Sequence, residues 1–210
     1  MSSDAEKRAA AEYAAGLVED GMRVGLGTGT TVAPLLEYLA ARRLTLRCVA
    51  TSPATAERAR KLGLTVEPFT LQELDIAIDG ADQVAPGPWL VKGGGRAHTR
   101  EKVVAAAAAR FVVIASSDKV VERIHAPVPL ELLAYGSTST LHRLQHAAVR
   151  PGPDSPDGGV IADWTGPVED PGALAARLDA EPGVVAHGLF GPELVSDVVI
   201  ARGTAISHQR

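Results

Sequence analysis

The sequence predicts an α/β fold, a Rossmann-like parallel sheet domain carrying a smaller α+β subdomain with an antiparallel sheet. Three observations predict it. Helical and strand patterns alternate over roughly the first 117 residues. The strand segments there are apolar throughout, as strands covered by helices on both faces must be. After about Pro127 the texture changes to strand–helix–strand, a turn, and strand–helix–strand again, the signature of a small antiparallel unit. The expected division is 1–127 with about 197–210 for the Rossmann-like domain and about 128–196 for the subdomain.

Each element has its own warrant. "DAEKRAAAEYAAGLVED" is Ala-rich with helical spacing and should run until Gly21 stops it. "MRVGLGTG" is a short strand entering a glycine loop, and "TTVAPLLEYLAARR" resumes the helical period. "LRCVATS" is apolar and β-prone. "PATAERARKLGL" reads as a helix with Pro53 near its start and Gly63 near its end. "TVEPF" and "LDIAIDGAD" follow as strands, "HTREKVVAAAAA" as a helix, and "RFVVIASS" as a buried strand. Beyond it, "VPLELLAYG", "VIADWTG" and "VVAHGLFG" read as strands, and "STSTLHRLQHAA" and "DPGALAARLDAEPG" as helical stretches. "RPGPDSPDGG" is an exposed turn, and "SDVVIARGTAIS" gives one or two strands returning to the main sheet.

Composition narrows the function classes. The 210 residues are 46% hydrophobic but only 4% aromatic, so the core is built mostly from Ala, Val and Leu. Lys and Arg number 21 against 25 Asp and Glu, a net charge of −4, with no basic run to suggest a nucleic-acid partner. The opening stretch lacks the apolar core of a secretory signal, and "VVAAAAARFVVIA" is too short and too interrupted to span a bilayer. The single Cys48 sits in a strand pattern and reads as core, and the histidines show no metal-ligand spacing. These features lead to the expectation of a cytoplasmic protein that needs no metal and no cofactor.

Two motifs carry chemistry. "GLGTGTT" (Gly25–Thr31) lies at a strand-to-helix turn, where free N–H groups and the helix dipole favour an anion. It is neither a Walker loop nor the dinucleotide fingerprint, since Thr30 stands where the last glycine would be. Thr28, Thr30 and Thr31 suit a phosphate monoester, although a tight turn with a threonine cap explains the loop equally well. The second motif, "IDGADQVAPGPWLVKGGGRAHTREK", gathers Asp79, Asp82, Lys92, three glycines and Glu101 within 25 residues. Asp79 ends a strand, which is where ligands bind in open α/β sheets. Turn chemistry could account for either aspartate alone, and a solvated helix face for Glu101; the combination is harder to dismiss.

With these stretches the chain resembles ribose-5-phosphate isomerase type A over nearly its whole length. The ordered matches are "VGLGTGTT", "TSPATAERARKLGL", "DIAIDGADQV", "VKGGGRAHTREK", "FVVIASSDKVV", "VPLEL", "DPGALAARLDAEPGVVAHGLF" and "SDVVI". The resemblance implies an aldose–ketose isomerase acting on ribose 5-phosphate through an enediolate, usually a homodimer or homotetramer. It implies phosphate binding by Thr28, Gly29, Thr30 and Thr31. Asp79, Gly80, Ala81 and Asp82, together with Lys92, Gly93, Gly94 and Gly95, would hold the sugar hydroxyls and reacting carbons. Glu101 would be the general base and Lys119 a second cationic contact, while Lys7 is a weaker phosphate candidate. Either Asp79 or Asp82 could assist ring opening.

The match has departures. Family members usually carry a small residue and a leucine where this chain has Arg96 and His98. "ASSDK" exchanges Ser116 and Asp118 relative to the usual order, the proline expected after "PLE" is missing, and Gly159 stands where asparagine is common. Neutral drift on loops is the expected reading of these changes, the alternative being that Arg96 narrows the pocket or favours a more anionic sugar. Two rivals therefore stand beside the leading reading. One is an isomerase for another phosphorylated sugar, and the other is a sugar-phosphate sensor without catalysis.

Overall fold

The computed structural model describes residues 3–70 and 73–210. In chain order its elements are α1 (Ser3–Ala15), β1 (Arg23–Leu26), α2 (Val32–Ala41), β2 (Arg47–Ala50), α3 (Pro53–Lys61), β3 (Ile76–Gly80), β4 (Gln83–Val84), β5 (Leu90–Val91), α4 (His98–Ala106) and β6 (Phe111–Ser116). A 3₁₀ turn (Ser117–Lys119) leads to β7 (Val128–Leu132), α5 (Ser137–Leu144), β8 (Ala147–Val149), β9 (Val160–Trp164), α6 (Pro171–Asp179), β10 (Val184–His187), β11 (Leu189–Phe190), β12 (Asp197–Arg202) and β13 (Ala205–Gln209).

Six strands form the main sheet in the order β13-β12-β6-β3-β1-β2, parallel except for the β12–β13 hairpin. Alternation along the strands sorts its two faces. Val24, Leu26, Ile76, Ile78, Val112 and Ile114 pack beneath α1, α2 and α3, whose alanines and leucines fill that layer. Ala77, Val113 and Ala115 point the other way, towards Val104 and Ala105 of α4 and Phe190 of β11. The second sheet, β10-β7-β9-β8, is antiparallel throughout. Val128, Leu130 and Leu132 of β7 meet Leu144 of α5 and Leu174 and Leu178 of α6.

Several expectations need correction. The first helix stops at Ala15 rather than at Gly21: Gly16 is a poor helix former, and the Arg42 guanidinium donates to the carbonyls of both Ala15 and Val18, closing the end from outside. "TVEPF" makes only a single bridge, Cys48 with Val66, because Pro68 has no N–H to extend a ladder. "VVAHGLFG" is two strands in two sheets. β10 joins the small antiparallel sheet, and β11 joins a third sheet, β11-β5-β4, that the sequence pattern did not reveal. Gly188 makes the switch possible, since a side chain there would run into the Lys92 carbonyl.

Candidate active site

The site is built at the C-terminal edge of the main sheet. β3 delivers Asp79 on the same face as Ala77, below the loop that follows β1. Gly27 of that loop has no space for a side chain, because a Cβ would overlap the Asp79 carboxylate. The absence lets the Thr28 N–H donate to Asp79 Oδ1 at 3.1 Å, while Gly80 N–H donates to the same oxygen at 2.7 Å. From the other side comes α4. Val104 and Ala105 anchor it in the core, and Glu101, three and four residues earlier, shares their face.

Lys92, just after β5, runs between the two carboxylates. Its Nζ lies 2.9 Å from Asp79 Oδ2 and 3.1 Å from Glu101 Oε2, and it donates to the Gly80 carbonyl at 2.5 Å. The three residues are 2–3% exposed, so two carboxylates and one ammonium lie almost out of water. Burial pushes the Glu101 carboxyl up to about 8, the neighbouring Asp79 charge adds to this, and Lys92 opposes it. Burial likewise raises Asp79, with Lys92 and two backbone N–H groups acting against the rise. Burial alone would pull Lys92 down, but Asp79 and Glu101 hold it above its ordinary value, so it remains an ammonium. One cation cannot neutralise two buried anions, and the cluster therefore retains a proton near neutral pH. Thr28 and Gly80 N–H groups both donate to Asp79 Oδ1 and favour its anion, whereas among the described residues Glu101 has the Lys92 ammonium alone, which favours Glu101 as the holder of that proton.

Above this floor lies a cavity of about 120 Å³. Its wall brings together Thr28, Gly29, Thr30 and Thr31, then Gly80, Ala81 and Asp82, then Lys92, Gly93, Gly94 and Gly95, with Glu101 and Lys119. Lys7 of α1 reaches the same wall. Asp79 lies beneath it and meets the cavity through Lys92. Thr31 occupies the N-cap position of α2 but makes no capping side-chain bond, so the tight-turn explanation does not account for its hydroxyl.

Residues 47–204 match the family model for ribose 5-phosphate isomerase A (phosphoriboisomerase A). A ribose-5-phosphate isomerase A from Caulobacter sp. strain K31 is 44% identical over 206 residues, covering 90% of this chain and 91% of its own. The chain belongs to the ribose 5-phosphate isomerase A family. Among solved structures, the enzyme of that name from Neisseria gonorrhoeae superposes with a TM-score of 0.94 at 28% identity, covering 99% of this chain and 96% of its own. Another D-ribose-5-phosphate isomerase, in complex with phospho-erythronic acid, gives a TM-score of 0.93 at 27% identity with both chains fully covered.

The structure places three of the departures from the family pattern. Arg96 does not narrow the cavity; its guanidinium turns outward and donates to the carbonyls of Pro151 and Pro153. His98 is wholly buried behind Gly93, and among the described residues its ring nitrogens make no well-formed hydrogen bond, the nearest polar backbone group being that of Ala186. Ser116 donates to Asp118 beside Lys119. The glycine run is also closely packed by the protein itself. A side chain at Gly93 would run into His98 and Pro129, one at Gly94 would displace the Asp82 carboxylate, and one at Gly95 would press on the Thr28 methyl. Two contributors escaped the sequence reading. Phe190 stands 5.4 Å from Lys92 Nζ and 5.1 Å from Lys102 Nζ, and Arg150 donates to the Gly93 carbonyl at 2.9 Å. Neither carries a local signal, since both come from elements distant in sequence.

Proposed function

We propose that this chain interconverts D-ribose 5-phosphate and D-ribulose 5-phosphate, with Glu101 carrying the proton between C1 and C2. The observation that carries the proposal is the buried Lys92–Glu101–Asp79 cluster under a polar cavity lined by the residues to which the family resemblance assigns the substrate. The phosphate fits the Thr28–Thr31 loop, where N–H groups at the start of α2 and the side chains of Thr30 and Thr31 share a wall with Lys7 and Lys119, the Thr28 hydroxyl being bonded to Thr51. With the open-chain sugar seated, Glu101 removes the C2 proton and returns it to C1 from one face of a cis-enediolate. A positioned base of this kind contributes about 10²–10⁴-fold. A carboxyl held near 8 exchanges protons readily at neutral pH.

The enediolate oxygen needs a preorganised donor. Lys92, already an ammonium, and the glycine N–H groups supply it, each such donor being worth roughly 3–4 kcal/mol. The two aspartates then divide their work. Asp79 is committed to Thr28, Gly80 and Lys92, and so holds the cation in place. Asp82 accepts from Gly94 N–H at 2.8 Å yet lines the cavity, which favours it for ring opening and for shuttling the hydroxyl proton. Cytoplasmic location and assembly as a homodimer or homotetramer belong to the same proposal and rest on the family resemblance.

The test is incubation with ribose 5-phosphate in D₂O, followed by NMR, beside the Glu101→Gln variant. Wild type should make ribulose 5-phosphate with deuterium at the carbon that receives the proton; the variant should bind the sugar but lose most turnover. Binding without ketose formation by the wild type would instead favour a sensor.

A further inference from the structure

We infer that Arg96 is a positioning residue for the proposed reaction, clamping the glycine run to the loop between β8 and β9 so that its N–H groups are in place before the enediolate forms. This rests on the site assignment above. Glycine loses more conformational freedom on ordering than any other residue, so a three-glycine run stays fixed only if something outside it holds it. Gly94 and Gly95 are solvent-exposed, and Asp82 secures Gly94 N–H from the cavity side. The outer side is held by arginines. Arg96 N–H donates to the Gly93 carbonyl at 3.1 Å, closing a turn, and Arg150 donates to the same carbonyl at 2.9 Å while paired with Asp163.

The Arg96 side chain then crosses to the neighbouring loop. Its Nη1 donates to the Pro153 carbonyl at 2.7 Å and its Nη2 to the Pro151 carbonyl. Between those prolines, Gly152 leaves the room that the guanidinium fills, for a Cβ there would stand 3.0 Å from Arg96 Cζ. Arg96 itself has φ +63°, an uncommon conformation for a residue with a side chain. A strained backbone with a guanidinium on two carbonyls is a costly arrangement for a residue that merely drifted. The stretch that the sequence marked as an exposed turn thus grips the catalytic loop from the small sheet.

The test is steady-state kinetics of Arg96→Gly. Glycine keeps the left-handed φ without strain but lengthens the flexible run to four glycines, so recovery on adding free guanidinium is what assigns the loss to the missing side chain. Displacement of catalytic groups by a remote change costs up to about 10²-fold. We expect kcat to fall by roughly tenfold. KM for ribose 5-phosphate should stay nearly constant, because the phosphate is held by the separate Thr28–Thr31 loop. Millimolar guanidinium should restore part of the lost kcat, an effect that loss of folded protein would not produce. Arg96→Lys, with one donor head for two carbonyls, should fall between. Wild-type kcat in Arg96→Gly, a change confined to KM, or a loss matched by the folded fraction and immune to guanidinium would each overturn the inference. Glu101→Gln, run alongside, separates the two failures. If it is silent while Arg96→Gly is normal, only the clamp falls; if it turns over, the site assignment falls and takes the clamp with it.

Discussion

Two clusters of nearly covered carboxylates treat charge in opposite ways. At the edge of the main sheet, Asp197 is 3% exposed and meets Arg110 through both oxygens at 2.7 and 2.9 Å, with His208 at 2.6 Å. These bonds, Arg110's above all, hold its carboxyl below the ordinary value even though burial pushes the other way. At the cavity floor, Asp79 and Glu101 share a single ammonium, and both are pushed up. The difference lies in satisfaction. Asp197 has a donor aimed at each oxygen, and its cover consists of side chains that themselves reach water. Glu101 Oε2 and Asp79 Oδ2 are out of contact with water and, among the described residues, have only the one Lys92 ammonium between them, at 3.1 and 2.9 Å. A satisfied carboxylate is inert structure, whereas one left short of donors is poised to take a proton.

Breaking the poised cluster should have the largest effect. Glu101→Gln is expected to lower kcat by about 10²–10⁴-fold, read in the coupled ribose 5-phosphate assay. It should also change stability in a pH-dependent manner. A carboxyl raised from 4.5 to about 8 gives the folded state a proton that the unfolded chain releases, so wild-type stability declines as pH rises through that window. The glutamine variant lacks this decline and should melt above wild type at pH 8 but not at pH 4. A wild-type Tm that stays flat across the window would mean that Glu101 is not desolvated as described.

The same reasoning sets the pH profile. A base must be ionised, so kcat/KM should climb through about pH 8 on its acidic side. A profile already level from pH 6 would place the working carboxylate in a satisfied environment like that of Asp197, and the contrast would vanish.

Asp197→Asn, by the same comparison, should leave kcat unchanged and cost roughly 1–3 kcal/mol by denaturant titration. Because the Asp197 carboxyl is depressed, its contribution is complete above the ordinary pKa of 3.8 and disappears as pH falls below it. Loss of activity in a fully folded Asp197→Asn variant would mean that this edge communicates with the site.

How much of this was legible in the sequence follows from the range over which each feature is encoded. The parallel strands announce themselves locally, since Phe111–Ser116 is buried at every position and reads as one apolar run. The cavity wall was equally visible, because its loops lie at strand ends and keep their residues together in sequence. Clamping and shielding were not. Phe190 reaches Lys92 across 98 positions and Arg150 reaches Gly93 across 57, and no local pattern specifies such pairings. The β10–β11 break was hidden for a related reason. An apolar run looks the same whether it stays in one sheet or changes sheets at Gly188.

The smallest effect expected at pH 8 concerns His98, which shares the poverty of donors but not the role. Its ring is wholly buried with no well-formed hydrogen bond among the described residues, and burial holds its pKa down to about 3 against a weak pull from the Ala186 backbone. An unsatisfied buried polar group costs on the order of 1–3 kcal/mol, so His98→Leu should stabilise the protein by about 1 kcal/mol at pH 8. Since the unfolded imidazole takes up a proton below about 6.5 and the folded one does not, wild-type stability falls as pH drops from there towards 3. The variant avoids that loss, and its advantage should widen by roughly 2 kcal/mol at pH 5. Activity at pH 8 should not change, because the ring backs Gly93 without lining the cavity. A destabilised His98→Leu would mean that the imidazole has a bonded partner after all. It would then belong with Asp197 among the satisfied groups, and a shortage of donors would be confined to the residues proposed to move the proton.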